Sequence, residues 1–195
     1  MEAYRNEDIV STLLRYGFIE LFLRMDETLL NEIWSYPGNR DKLYELITDH
    51  DAPEEARFLS SEILFLKEKN FPPDNLKNEL SQLYASILGQ GGSVNANIWG
   101  LPGFLNGGTG QHVVALGQAI VKDFSSLLQN TGSVYYEGSR EAMQGNAYKY
   151  RIKDLAAFFL ATVLNIPYTV YKEPESRDEE IEGLKQNLNK EWGRN

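Results

Sequence analysis

Leu46-Ile47-Thr48-Asp49-His50-Asp51-Ala52-Pro53-Glu54-Glu55-Ala56-Arg57-Phe58-Leu59-Ser60-Ser61-Glu62-Ile63-Leu64 reads as the end of one helix, a short acidic turn and the start of a second helix. Proline just inside a helix start has its missing N–H where no intrahelical bond is made, and acids in the first turn meet the positive end of the helix dipole. Asp51 is the expected cap of that second helix. Small residues at Ser60 and Ser61 let the second helix sit close to a neighbour, and Leu64 fills the space one turn further on. The helix reads on to about Lys69, with Phe58 and Phe65 on a second apolar flank, so it is expected to be sandwiched between neighbours.

A second stretch has a similar pattern. Leu116-Gly117-Gln118-Ala119-Ile120-Val121-Lys122-Asp123-Phe124-Ser125-Ser126-Leu127-Leu128 resumes at Ile152-Lys153-Asp154-Leu155-Ala156-Ala157-Phe158-Phe159-Leu160. Lys153 precedes Ala156, Ala157 and Leu160 as Arg57 precedes Ser60, Ser61 and Leu64. Both stretches resemble the HEAT-like, armadillo-type helical repeat, in which helical hairpins stack because none can bury its apolar face alone. The resemblance covers 40–88 and 110–165. It implies structural roles for Asp51, Arg57 and Lys153, with each basic head reaching an acidic turn such as Asp49 or Asp51. Arg57 and Lys153 lie 96 residues apart, so a uniform repeat period is not expected.

Working outward, the periodicity is helical nearly throughout. Helices are expected at about 7–24, 26–35 (with Asp26 as cap), 40–48, 74–88, 110–129, 147–165 and 174–192. Two irregular stretches interrupt them. Residues 89–110 hold eight glycines, with Ile98, Trp99, Leu101 and Phe104 to fold them back. Residues 130–146 form an insertion in the second repeat-like unit, and Tyr168-Thr169-Val170-Tyr171 is extended. The expected architecture is all-α: one domain over 1–195, an irregular bundle of HEAT-like helical hairpins with two long inserted loops. N-terminal helices occupy 1–39 and a capping helix 174–192.

Composition narrows the function. The 195 residues are 42% hydrophobic and 12% aromatic, enough for a sizeable core. No apolar run approaches the roughly 18–20 residues that cross a bilayer. The net charge of −9 speaks against nucleic acid and leaves room for a basic protein partner or for plain solubility. Cysteine is absent and histidine is limited to His50 and His112, so neither a metal site nor a cofactor is expected. The opening residues lack the pattern of a secretion signal, which reads as cytoplasmic. A chain whose leader had been removed would read equally as periplasmic.

Several short motifs have simpler roles than their chemistry suggests. Asp49-His50-Asp51 looks like a ligand cluster, but adjacent side chains diverge, and a turn accounts for it. Gly107-Gly108-Thr109-Gly110-Gln111-His112 lacks both the lysine of a P-loop and the spacing of a dinucleotide fingerprint. Glu137 and Glu141 resemble a carboxylate pair, as some pair must among 28 acids. Arg151 and Asp154 suggest a surface ion pair, worth a few tenths of a kcal/mol.

The remaining candidates are Trp99, His112, Tyr135, Tyr136, Glu137 and Arg140, in or beside the two irregular stretches. Their aromatics suit a recognition surface. The expected function is a non-enzymatic protein–protein interaction module, of the kind found in bacterial regulatory or toxin-neutralising (immunity-type) partners. The alternative is a small polar-ligand binder or hydrolase-like enzyme, if His112, Tyr135 and Glu137 converge in a cleft between the loops.

Overall fold

A computed structural model describes residues 8–23, 27–91, 96–138 and 140–192. Among the described residues the chain is about 72% helical, with ten α-helices and no strand. In order they are α1 (Ile9–Phe18), α2 (Glu27–Ser35), α3 (Asn39–Thr48), α4 (Glu54–Lys67), α5 (Lys77–Gly89), α6 (Gly108–Ala115), α7 (Val121–Ser126), α8 (Arg140–Tyr148), α9 (Ile152–Leu164) and α10 (Pro174–Trp192). No helix among the described residues is long and apolar enough to cross a membrane. Two compact units are formed, Met1–Leu83 and Tyr84–Asn195.

In the first unit α4 is central. Every residue from Ala56 to Leu64 is buried, and α1, α2 and α3 pack against it. Ser60 and Ser61 are fully buried, and the Ser60 hydroxyl donates to the Leu43 carbonyl at 2.8 Å, so α3 and α4 lie close where the small residues allow. The turn between them differs from expectation. The N-cap of α4 is Pro53, with no side-chain cap, while Asp49 accepts from the Asp51 backbone N–H at 3.0 Å. Asp51 is therefore not the cap. Arg57 does not reach the acidic turn either. Its Nε and Nη2 donate to the Ile47 carbonyl at 3.0 and 2.8 Å, and Nη2 pairs with Glu79 on α5 at 2.5 Å. The partner is non-local, and local spacing could not reveal it. The expected 7–24 helix breaks at Gly17 (φ +63°), after which Ile19–Leu23 winds as a π-helix. The Asp26 cap lies outside the described residues.

In the second unit α9 is central, with α6, α7 and α10 packed on it. Ala156 and Ala157 are fully buried, as their position beside close neighbours requires. The helix expected over 110–129 is instead four short pieces, broken where Gly117 takes φ +62°. α6 gives way to 3-10 turns at Gly117–Ile120 and Leu127–Gln129, with α7 between them. 3-10 and α turns still bring residues three and four apart to one side, so Ile120, Phe124 and Leu127 stay inward although the helix is interrupted. The expected insertion over 130–146 contains most of α8, and α9 begins at Ile152, not 147.

Arg151 and Asp154 are not a surface pair. The Asp154 carboxylate closes a capping box on the Arg151 backbone N–H at 2.8 Å and is 1% exposed. Lys153 pairs with Asp178 on α10 at 2.8 Å, again not with an acidic turn. The C-terminal helix docks through Ile181, Leu184 and Leu188, all buried.

Candidate functional site

The site is built on the segment after the Leu127–Gln129 turn. Gly132 to Glu137 runs extended. The Val134 N–H donates to the Tyr150 carbonyl at 3.1 Å, the Ile152 N–H donates to the Gly132 carbonyl at 2.8 Å, and Ser133 forms an antiparallel bridge with Arg151. Extended backbone sends alternate side chains to opposite faces. Val134 and Tyr136 are buried, whereas Ser133, Tyr135 and Glu137 are exposed.

The glycine-rich stretch folds onto this segment. The Ala96 N–H donates to the Tyr135 carbonyl at 2.9 Å, and the Asn97 side-chain amide donates to the Glu137 carbonyl at 2.6 Å. The Tyr136 hydroxyl donates to the Gly100 carbonyl at 3.0 Å. Close backbone approach holds the stretch in shape. A Cβ on Gly107 would lie 2.2 Å from the Gly100 nitrogen and the Ile98 oxygen, and one on Gly110 would lie 2.2 Å from the Trp99 oxygen. Here glycine is required by contact distance. On the other side α8 brings Gly145 against the Tyr136 ring, and Asn146 donates to the Tyr136 carbonyl at 3.1 Å.

The predicted residues thus divide. Trp99, Tyr135, Tyr136 and Glu137 come together. Trp99 is 3% exposed and meets Tyr84 edge-on at 6.3 Å, and Tyr136 is 1% exposed, so both are anchors. Burial, with smaller effects from Tyr150 and Asp154, pushes the Tyr136 phenol far up and keeps it a donor. Tyr135 is 63% exposed. It is one of the residues lining a small cleft of about 10 Å³, with Ile87, Leu88, Gly91, Ala96, Trp99 and Val134. His112 is half-buried on α6 and is not among the residues lining the cleft. The Arg140 side chain lies outside the described residues. The side chains of this lining are mostly apolar, with the Tyr135 phenol and the Trp99 indole as its polar groups.

Sequence reasoning missed Arg177. It is fully buried, with Nη1 donating to the Tyr171 and Lys172 carbonyls at 2.9 and 2.6 Å and Nη2 to the Tyr148 carbonyl at 2.9 Å. Its Nε lies 3.2 Å from Asp154 Oδ2, and its guanidinium sits 5.2 Å from the centre of the Tyr150 ring. Arg151 also bonds both Asp154 and Asp178. A signal was present: Arg177 precedes Ile181, Leu184 and Leu188 at helical spacing, on the face that docks.

In comparisons with known proteins, the chain matches no family model, no curated protein and no solved structure.

Proposed function

We propose that this chain is a protein–protein interaction module, a regulatory or immunity-type partner, whose second unit packs an apolar side chain of another protein against the exposed Tyr135. The observation that carries this reading is an exposed tyrosine on a segment whose backbone is bonded on both sides and whose flanking residues, Val134 and Tyr136, are buried. An aromatic on a backbone held in place before binding has less freedom to lose when it binds, which is what a recognition hot spot needs. Glu137, two residues on, is also exposed and adds a carboxylate to the same segment.

Charge supports a basic partner, and its distribution refines the idea. Residues 1–83 carry 17 acids and 9 bases, whereas 84–195 carry 11 acids and 10 bases. Long-range steering of a basic partner therefore originates in the first unit, and contact specificity in the second. The HEAT-like reading belongs to the same proposal. Support for it comes from the matched positions of the buried pairs Ser60–Ser61 and Ala156–Ala157, each on the central helix of its unit.

Selection from a random displayed peptide library on the immobilised chain tests the reading. Enriched peptides should carry a large apolar residue with lysine or arginine beside it, and should compete for one site abolished by Tyr135→Ala. Enrichment of peptides without an apolar anchor, or equal enrichment on the Tyr135→Ala variant, contradicts it.

A further inference from the structure

We infer that Arg177 is a positioning residue for the Tyr135 surface, so that the seating of α10 and the competence of that surface are coupled. The inference rests on the interaction site proposed above. α10 contributes none of the residues that line the cleft, so its influence has to travel through intermediate contacts.

Those contacts are continuous. Arg177 Nη2 donates to the carbonyl of Tyr148, at the end of α8, and Nη1 holds Tyr171 and Lys172 just before α10. Between α8 and α9 the chain turns through Lys149, which takes φ +50°. That left-handed conformation is one an ordinary residue keeps only when its surroundings hold it. The guanidinium then faces the Tyr150 ring, and the Tyr150 carbonyl accepts the Val134 N–H. Tyr150 also meets Tyr136 edge-on at 6.4 Å. Val134 and Tyr136 flank Tyr135. The turn 148–151 is thus gripped by α10 on one side and grips the Tyr135 segment on the other. Asp154, buried and paired with Arg177 and Arg151, fixes the cation in this position.

Three readouts test the coupling. In the unmodified chain, native-state hydrogen exchange should show the Val134 and Ile152 amides opening together with the Arg177 amide. A Val134 amide that exchanges while Arg177 stays protected overturns the inference. In Arg177→Lys, or in the isosteric Asp154→Asn should the first not fold, a nitroxide attached through Tyr135→Cys should gain mobility. That label is unique because the chain has no cysteine. With Tyr135 intact, the same variants should bind the selected peptide roughly 2- to 30-fold more weakly, the range that packed networks transmit. A folded variant with unchanged label mobility and unchanged peptide affinity overturns the inference. Tyr135→Ala separates the two claims. If the peptide is indifferent to Tyr135, the interaction site is wrong, while exchange and label mobility still judge the coupling by themselves.

Discussion

Tyr135 and Tyr136 are neighbours with opposite roles. One is exposed at a cleft and the other is buried with its hydroxyl on the Gly100 carbonyl. Their extended backbone separates them, and the alternation was present in Ser133-Val134-Tyr135-Tyr136-Glu137. A stretch of five residues between helices is too short for that alternation to stand out against irregular chain, so the sequence marked both tyrosines without ranking them. Arg57 shows the other limit. Its burial follows from its place on a helix buried throughout from Ala56 to Leu64, but its acid, Glu79, sits on α5 rather than in the nearby turn. Arg57→Ala should destabilise the chain by about 1–3 kcal/mol, because the Ile47 carbonyl and Glu79 lose their donor. Chemical denaturation measures this, and a change well below that range would show that water replaces the guanidinium there.

At the scale of elements, the legible features were those set by helical periodicity. α3, α4, α5 and α10 fall close to where apolar spacing and proline placed them. What was not legible was interruption. Val113, Leu116, Ile120 and Phe124 continue an apolar face across Gly117 at spacings of three and four, which 3-10 and α turns bring to one side. α8 falls largely within the stretch expected to be irregular; Gly145 and Asn146 are poor helix formers, yet Gly145 is where Tyr136 presses on the helix. The central helices give the sharpest element-level prediction. Ala156 is fully buried on α9, so Ala156→Leu should overpack by about 1–3 kcal/mol. A thermal melt unchanged by this substitution would mean that α9 has room its packing does not show.

For the molecule as a whole, charge and buried phenols govern behaviour with pH. In the second unit, burial first, with smaller contributions from neighbours, raises the Tyr136 and Tyr168 phenols, and it pushes Tyr150 up to about 12. The unfolded chain ionises these groups near 10, while the folded chain still holds their protons. Between those values the folded state binds more protons, so stability is full below pH 10 and falls as pH rises above it. Alkaline titration should therefore show unfolding by circular dichroism together with the late rise in phenolate absorbance. Phenolate appearing in full near pH 10 with the fold intact would contradict the burial.

The interaction reading makes one surface responsible for contact, and a matched comparison separates it from general stickiness. Tyr135 and Phe104 are each 63% exposed aromatics in the second unit, but only Tyr135 lines the cleft. The affinity of the selected peptide should fall at least about tenfold in Tyr135→Ala, near 1.4 kcal/mol, and stay within about twofold in Phe104→Ala, with both variants melting as the parent does. Equal losses in the two variants, or none in Tyr135→Ala, would contradict the assignment of the Tyr135 surface as the binding site.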